Sequence, residues 1–214
     1  MDQKLIIGLT GKKGVGKDTS ANILTRIFQK HIDYKDKKLE RYALASGLKD
    51  GVEHIFGIKV TDDNKDCVIG GFWKNRTPRE MVIALGDAAR KFNKDSIIQG
   101  LITKIKKSDA DIFIITDIRY DNEAKGILSD EVLSNFYNPV ILEITSTGNS
   151  KVKRKRKWFS FKKEELHSSE KGIKEKYIDF SINNISTMYE LDRKLRIFVN
   201  EHIHKKLNNI TNSN

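Results

Sequence analysis

The sequence has 214 residues, which is enough for one α/β domain with a well-formed core but leaves no room for a second large domain. Hydrophobic residues make up 38% and charged residues 32% of the chain. The longest apolar run beside a predicted strand, Ile112–Ile115, is far too short to span a bilayer. The formal net charge of +11 favours polyanionic partners, which include nucleotides as well as nucleic acids.

The N-terminus and the cysteine content both favour a reducing compartment. Residues Met1–Lys4 lack the basic start and the long apolar core of a signal peptide. The single cysteine, Cys67, excludes an internal disulfide bond. We therefore expect a cytoplasmic protein without a membrane segment.

A glycine-rich segment between a predicted strand and a predicted helix is the strongest motif. Residues 5–9 form a short apolar run, as in a buried parallel strand. After the glycines, apolar residues recur at helical spacing from Ala21 to Phe28. This order is the context in which a phosphate-binding loop occurs. Glycines let peptide N–H groups approach a phosphate, and the helix directs the positive end of its dipole at the same anion. The loop residues expected to bind phosphates are Gly11, Gly14, Val15, Gly16, Lys17, Asp18 and Thr19.

One position of this loop departs from the common G-x-x-x-x-G-K-[ST] pattern. Asp18 follows Lys17, where a metal-binding hydroxyl is usual. The alternative interpretation is a glycine-rich turn with a surface lysine. The flanking strand and helix favour the phosphate loop, at which we expect Lys17 to be exposed and to reach the outer phosphates.

The next elements are a helix, a strand and a second helix. The first helix is predicted to continue to about Ile32, and a strand follows at residues 39–44. Ser46 then precedes an amphipathic helix that Gly57 ends. Residues 59–75 are polar, so we expect a long surface segment of the kind that often covers a binding site. The predicted core face of the second helix consists of Leu48, Val52, Ile55 and Phe56.

A capping box predicts the start of the third helix, with Thr77 as the cap, Pro78 at the first position and Glu80 completing the box. Arg79 and Arg90 are about three turns apart, at roughly 3.6 residues a turn, so they share one face. From the spacing alone, a solvated surface is the favoured interpretation of that face. The predicted core face consists of Met81, Leu85, Ala88, Ala89 and Phe92.

A helix near residues 96–107 leads to a buried strand at residues 111–119, whose carboxyl end presents Asp117 and Arg119. In open parallel α/β sheets, ligands bind outside the carboxyl ends of the strands. An acid there can hold the water shell of Mg²⁺ in nucleotide-binding loop enzymes. Strand-end acids also cap helices, and the pair Asp121–Asn122 competes for that role here.

A basic run, Lys151–Lys157, follows a fourth predicted strand at residues 139–144 and is itself followed by aromatic residues. Three interpretations remain open: a lid whose arginines close over phosphates, a nucleic-acid or nuclear-import patch, and a solvated loop. Its place between two strands of one domain favours the lid. The last predicted strand, residues 177–182, precedes a helix that Thr187 caps. The core face of that helix is predicted to contain Leu191, Leu195 and Phe198.

Together, these motifs resemble the phage-type deoxynucleoside monophosphate kinases. The resemblance covers most of the chain, and its specificity comes from the order of the segments. In that family a Lys-Asp pair is the usual form of the loop, so Asp18 supports the resemblance. The matching segments are residues 11–19, Thr77–Glu80 with Gly86, Thr116–Arg119 with Asn122–Glu123, His167–Glu170, and Asn183–Asn184.

The resemblance implies a single P-loop kinase domain at residues 1–207 and a frayed polar tail at residues 208–214. The implied fold is three-layer α/β, with a mainly parallel five-stranded sheet flanked by helices and a basic lid within about residues 146–172. It also implies ATP and Mg²⁺ as cofactors. The implied reaction is transfer of the γ-phosphoryl group to a deoxynucleoside 5′-monophosphate, giving the diphosphate.

The resemblance also assigns roles to individual residues. Asp18 and Asp117 would hold Mg²⁺, while Lys17 and Asn183 would bind the nucleotide cofactor. The residues assigned to catalysis are Lys17, Asp117, Arg119, Arg154 and Arg156. Those assigned to the acceptor are Lys49, Arg76, Arg79, Arg90, His167 and Glu170, with Arg119 at the acceptor phosphate.

Two other functions remain open. Animal-type phosphomevalonate kinases have a similar Lys-Asp loop and strand-end Asp-x-Arg, with the same fold and chemistry but another acceptor. A non-enzymatic nucleic-acid-binding protein on a P-loop scaffold would suit the charge of +11, although the intact Lys17, Asp18 and Asp117 argue against it. The sequence does not indicate which base or sugar the acceptor has. It also leaves open whether the protein forms a homodimer and whether Lys151–Lys157 directs nuclear import.

Overall fold

The computed structural model describes residues 4–146 and 172–203. The polar tail at residues 208–214 and nearly all of the predicted lid at residues 146–172 lie outside the described residues. The single domain predicted for residues 1–207 therefore stays a prediction.

The described residues divide into two compact units. The first contains the chain up to Arg41 and from Asp109 onward, and the second runs from Tyr42 to Ser108. Within the described ranges, none of the helices combines the length and the hydropathy that a membrane crossing requires.

Strands and helices alternate along most of the chain. Short 3₁₀ turns occur at Gly71–Trp73 and Glu175–Tyr177, and the last helix continues as a π-helical segment at Phe198–Ile203. The strands are β1 (Lys4–Thr10), β2 (Leu39–Ala43), β3 (Ile112–Ile118), β4 (Tyr137–Thr145) and β5 (Phe180–Asn183). The α-helices are α1 (Lys17–Lys30), α2 (Ser46–Phe56), α3 (Pro78–Phe92), α4 (Ser96–Lys107), α5 (Asp121–Ser129), α6 (Glu131–Phe136) and α7 (Met188–Ile197).

The five strands form one sheet in the order β2-β3-β1-β4-β5. β1 pairs in parallel with both β3 and β4, and β4 pairs in parallel with β5. This arrangement confirms the predicted five-stranded, mainly parallel sheet. Because β1 has a neighbour on each side, the loop that follows it begins in the middle of the carboxyl edge of the sheet.

One face of the sheet packs against α1 and α7. Leu9 of β1, Leu24 of α1 and Leu195 of α7 are completely buried in the same cluster. Leu191 and Phe198 are buried with them, so the core face predicted for the C-terminal helix is confirmed. The apolar residues of β1 that face this layer alternate along the strand, as a strand between two layers requires.

The other face of the sheet is covered by α5 and α6, which both contact β4. Ala124 and Ile127 of α5 and Leu133 of α6 are completely buried. Helices therefore cover both faces of the sheet, and the predicted three-layer α/β fold is confirmed.

The second unit contains α2, α3 and α4, with α3 packed against the other two. The predicted capping box of α3 is confirmed: the Thr77 hydroxyl accepts from the N–H of Glu80 at 3.2 Å, and the Glu80 carboxylate accepts from the N–H of Thr77 at 2.7 Å. Gly57 ends α2 with a φ of 69°, as the sequence predicts. Local capping chemistry thus determines where both helices begin or end.

Three predicted core residues of the second unit, Ile55, Ala88 and Phe92, are exposed instead. The side chain of Phe92 is 92% exposed, because the buried residues of α3 extend only as far as Gly86 and Phe92 lies in the last turn. Ile55 is 62% exposed and likewise lies in the last turn of α2, beyond the buried Val52. Ala88, like Phe92, lies beyond Gly86. These predictions were wrong because a helical stripe was extended past the packed part of each helix.

The chain between β3 and β4 and the start of β5 also differ from the sequence prediction. No bounds were predicted for α5 or α6. The buried apolar stripe of α5 is only Ala124 and Ile127, which is too short to show a helical period. The last strand begins at Phe180 and not at Tyr177, because Tyr177 belongs to a 3₁₀ turn.

Candidate phosphate-binding site

The loop between β1 and α1 has a backbone that glycine adopts far more readily than other residues. The φ angles of Gly11, Gly14 and Gly16 are 135°, 81° and 99°. Residues with a Cβ atom rarely adopt positive φ, because the Cβ atom collides with the backbone. The glycines therefore stand where the loop conformation requires them.

Two of these glycines also allow close contact with the rest of the protein. A Cβ atom at Gly11 would overlap the carbonyl oxygen of Ile144 at the end of β4. A Cβ atom at Gly16 would lie 2.6 Å from Nδ2 of Asn184. The Cβ position of Gly14, in contrast, has no atom within 4 Å. The loop is thus closely packed at its two ends and open near Gly14.

Four carbonyl groups of the loop accept hydrogen bonds from the protein itself. The Lys17 ammonium donates to the carbonyl oxygens of Gly11 and Lys12, at 2.8 and 3.0 Å. The Asn184 side chain donates to the carbonyl of Val15 and the N–H of Ser20 to that of Gly16, both at 2.8 Å. Because these acceptors already have donors, the polar groups that the loop can offer a ligand are mainly N–H groups, which suit an anion.

Lys17 is buried, with 7% of its surface exposed, so the prediction that it is exposed at the loop is wrong. It is the first residue of α1, and its ammonium binds the carbonyl groups of Gly11 and Lys12. These bonds hold the positive charge at the loop. A charge shielded from water acts more strongly on a phosphate than an exposed charge at the same distance.

The two residues after Lys17 lie in the first turn of α1. The side chain of Asp18 is exposed and that of Thr19 is partly buried. A carboxylate in the first turn stabilises a helix through its dipole, so Asp18 has a structural role whether or not it binds a metal. Val15 is buried and anchors the middle of the loop in the core on the α1 side of the sheet.

Asp117 lies at a β-bulge at the carboxyl end of β3, beside β1. Gly8 pairs with Ile115 whereas Thr10 pairs with Ile118, so β3 contains one extra residue here. Asp117 has a φ of 66°, in the left-handed region that few non-glycine residues adopt. Backbone strain of this kind is concentrated at functional sites. This backbone outlier makes Asp117 a candidate functional residue, and its predicted role at the metal stays a prediction.

Arg119 and Asp117 form an ion pair, with Nη2 and Oδ1 3.5 Å apart. The N–H groups of Arg119 and Tyr120 donate to the carboxylate of Glu123 at 2.9 and 3.1 Å. Glu123 is only 2% exposed, so a buried carboxylate fixes the turn between β3 and α5. Because Glu123 binds the backbone at this helix start, the alternative in which Asp117 serves as the helix cap loses support.

The loop after β5 also reaches the phosphate loop, through a residue that the sequence analysis missed. Asn184 donates its side-chain N–H to the carbonyl of Val15 at 2.8 Å, and its backbone N–H to Thr145 at 2.7 Å. The carbonyl of Asn183, the predicted cofactor ligand, accepts from Nζ of Lys194 at 2.7 Å. The adjacent asparagines were the available signal, but the side-chain contact to the loop belongs to the second.

Four residues predicted to bind the acceptor lie in the second unit. Two of them, Arg76 and Arg79, lie near the start of α3 and have carboxylate partners. Arg79 binds Asp66 through two of its nitrogens, with Nη2 and Oδ2 3.2 Å apart. Arg76 and Glu80 form an ion pair of 3.3 Å. Both guanidinium groups therefore already have a carboxylate partner in this structure.

Arg90 and Lys49 are the other two. Arg90 lies over Gly86, where a Cβ atom would be 3.0 Å from Nη1. Lys49 is close enough to Asp62 to help lower the pKa of that carboxyl, although the hydrogen bond from Lys65 has the larger effect. The assignment of all four residues to the acceptor rests on the family resemblance and stays a prediction.

The predicted lid residues Arg154 and Arg156 and the predicted acceptor residues His167 and Glu170 lie outside the described residues. Their assignments stay predictions, as do all three interpretations of Lys151–Lys157.

The metal predicted between Asp18 and Asp117 is Mg²⁺. No three His, Cys, Asp or Glu side chains cluster into a possible metal site within residues 4–146 and 172–203. Mg²⁺ commonly binds one or two carboxylates together with substrate phosphates and water. Asp18 in the first turn of α1 and Asp117 at the carboxyl end of β3 are donors of that kind, and their assignment to Mg²⁺ stays a prediction.

Comparison with known protein families and with curated proteins found no match. Among solved structures, the chain is similar to APE1195, with 12% identity, a TM-score of 0.36, and coverage of 68% of this chain but only 63% of that protein. It is also similar to TT1252 from Thermus thermophilus, with 14% identity, a TM-score of 0.42, and coverage of 94% and 98% of the two chains. Similarity this low carries no argument about function.

Proposed function

We propose that the protein transfers the γ-phosphoryl group of ATP, with Mg²⁺, to a deoxynucleoside 5′-monophosphate, giving the diphosphate for nucleotide supply. The observation that carries the proposal is the phosphate loop, whose carbonyl groups are bound by the protein so that its N–H groups and Lys17 suit an anion. The choice of a deoxynucleotide as acceptor is supported by the order of the sequence motifs alone.

The protein would act mainly by positioning and charge neutralisation, because phosphoryl transfer requires little covalent chemistry from the enzyme. The loop N–H groups and Lys17 would hold the β- and γ-phosphates of ATP. Asp18 and Asp117 would hold Mg²⁺, which when bound neutralises phosphate charge. Arg119, paired with Asp117 at the end of β3, would bind the acceptor phosphate.

Transfer to the acceptor also requires that water be kept from the γ-phosphate, since water would otherwise take the phosphoryl group. The basic run that contains Arg154 and Arg156 is proposed as the lid that excludes water and adds positive charge in the transition state. His167 and Glu170 are proposed to contact the acceptor nucleotide.

The test is an assay of ADP release with ATP and Mg²⁺ against a panel of acceptors. The panel contains the four common deoxynucleoside monophosphates, the corresponding ribonucleotides and phosphomevalonate. A protein lacking the Lys17 ammonium, Lys17→Met, is the matched control for contaminating kinases. We expect Mg²⁺-dependent turnover of at least one deoxynucleotide that the control lacks.

The outcomes separate the three functions. Turnover of phosphomevalonate alone would assign the same chemistry to a different acceptor. Absence of turnover on every acceptor, together with DNA binding that weakens steeply as salt is raised, would favour the non-enzymatic scaffold, because phosphate contacts release counterions.

A further inference from the structure

We propose that Asn184 is a positioning residue that fixes the orientation of the Val15–Gly16 peptide and so prepares the loop for phosphate. This inference rests on the proposed function of the loop, but it concerns a residue outside it. Asn184 is separated from Val15 by 169 residues along the chain, yet its Nδ2 lies 2.8 Å from the Val15 carbonyl oxygen.

The contact identifies which end of the Asn184 amide faces the loop. A carbonyl oxygen can only accept a hydrogen bond, so the atom facing Val15 is the NH₂ nitrogen. The backbone of Asn184 is itself anchored, since its N–H donates to the carbonyl of Thr145 at the end of β4 with a distance of 2.7 Å. A donor held by the sheet therefore fixes a carbonyl of the loop.

Gly16 makes this contact possible. A Cβ atom at position 16 would lie 2.6 Å from Nδ2 of Asn184, closer than such atoms approach in proteins. The glycine thus has two functions: it permits a φ of 99°, and it leaves the space that the Asn184 amide occupies. The contact of Asn184 with the loop therefore requires glycine at position 16.

The orientation of this peptide decides what the loop presents to an anion. The C=O of Val15 and the N–H of Gly16 belong to one planar trans peptide and point in opposite directions. When Asn184 binds the carbonyl, the N–H therefore points away from Asn184. If that peptide rotated, the carbonyl dipole would replace the N–H on the ligand side and repel a phosphate. Asn184 stabilises the orientation that attracts an anion, in the way that preorganised dipoles do in other sites.

Three substitutions separate the donor from other effects. Asn184→Leu keeps the approximate size and removes the donor without adding charge. Asn184→Asp replaces the donor with a negatively charged acceptor. The control is Ser186→Ala, an exposed position two residues further along the same turn. The ligand is inorganic tripolyphosphate, measured by titration calorimetry without Mg²⁺, so that neither turnover nor the metal enters the result.

We expect at least tenfold weaker tripolyphosphate binding for Asn184→Leu, a larger loss for Asn184→Asp, and no change for Ser186→Ala. If Asn184→Leu binds as tightly as the parent protein and only the aspartate variant is weakened, charge repulsion explains the result and the inference is overturned.

Hydrogen exchange of the free protein tests the inference without any ligand. The N–H of Ser20 donates to the carbonyl of Gly16, so its exchange reports whether the end of the loop is ordered. We expect faster exchange across residues 15–20 in Asn184→Leu than in Ser186→Ala, and equal exchange would overturn the inference. Faster exchange in a protein whose parent form phosphorylates no acceptor would instead refute only the proposed function.

Discussion

The hydroxyl of Thr10 donates a 2.9 Å hydrogen bond to the carbonyl of Ile118, which ties the end of β1 to the end of β3. Thr10 is 1% exposed, so this bond is shielded from water. It lies at the end of the bulge that contains Asp117, the residue with a left-handed φ. The phosphate loop begins at the next residue after Thr10, so the loop and Asp117 are fixed by the same contact.

Substitutions of Asp117 should separate its charge from its backbone. Asparagine tolerates the left-handed region about as well as aspartate, so Asp117→Asn should change the unfolding free energy little while it raises the Mg²⁺ concentration needed for half-maximal rate. Asp117→Ala should also lose about 1 kcal/mol of stability, because alanine is disfavoured at positive φ. Urea unfolding and Mg²⁺ titrations check both, and equal stability of the two variants would contradict the backbone argument.

Lys17→Met should lower kcat by about 10²–10³-fold, the range observed when one transition-state donor is removed. Because Lys17 is buried and binds two loop carbonyls, we also expect a Tm decrease of a few degrees, in contrast to a surface lysine. The control is Lys13→Met, an exposed lysine of the same loop. Similar losses of rate in both variants would indicate that the loop needs positive charge in general and not Lys17 in particular.

Asp18→Asn tests the residue that departs from the common loop pattern. If Asp18 holds Mg²⁺, the variant should need much more Mg²⁺ for half-maximal rate while its stability falls by only about 0.3–1 kcal/mol, the size of a helix-dipole interaction. Rates measured from micromolar to millimolar Mg²⁺ decide the question. A Mg²⁺ dependence that matches the parent protein would leave Asp18 with the helix-dipole role alone.

The buried carboxylate of Glu123 should matter for stability as well as for the position of Arg119. Glu123→Ala leaves the N–H groups of Arg119 and Tyr120 without their acceptor and should cost about 2 kcal/mol in urea unfolding. Glu123→Gln keeps a side-chain oxygen and should cost less than half as much. Equal losses in the two variants would show that the negative charge, and not the acceptor oxygen, stabilises the turn.

An ion-pair cluster on the outer side of α1 and α7 should make stability depend on pH. Asp192 binds both Arg26 and Arg196. Burial alone would raise the pKa of Asp192, but the hydrogen bonds from Arg196 and Arg26 outweigh burial and hold the pKa below its ordinary value. A lowered pKa in the folded state means a stabilisation that is present above the unfolded pKa, about 3.9, and is lost as the pH falls through the folded value.

Asp192→Asn should therefore be less stable than the parent protein at pH 7, and the difference should shrink as the pH falls below about 4. Urea unfolding of both proteins between pH 7 and pH 3 measures it. A difference that stays constant over this range would mean that Asp192 stabilises the helices through packing and not through its charge.

The order of elements and the glycine-rich loop between β1 and α1 were predictable because their signals are local. The capping box at Thr77, the left-handed Gly57 and the glycines of the loop each depend on residues a few positions apart. Apolar strands that alternate with helical stripes predict the order of elements, whereas the three-layer fold was implied by the family resemblance. Phe92 was wrongly predicted to be buried because the signal is only local. A helical stripe shows which way a side chain points, but not whether another helix extends far enough to cover it.

The parts of the site that were missed depend on distant partners. The adjacent asparagines mark the segment, but they do not show that the amide of Asn184 binds Val15, because that contact depends on the pairing of β5 with β4. The burial of Lys17 is likewise a property of the folded loop, since lysine side chains are usually exposed. The bulge at Asp117 appears only when the register of β1 and β3 is known.

The central position of β1 has a consequence for synthesis of the chain on the ribosome. β1 is made before the other strands of this sheet, but Thr10 meets Ile118 only 108 residues later, and Val15 meets Asn184 only 169 residues later. The ordered loop therefore depends on contacts of long sequence separation, which form slowly. A nascent chain that stops before β5 has all the residues of the glycine-rich loop but lacks the contact from Asn184, so the loop with all its contacts forms late in translation.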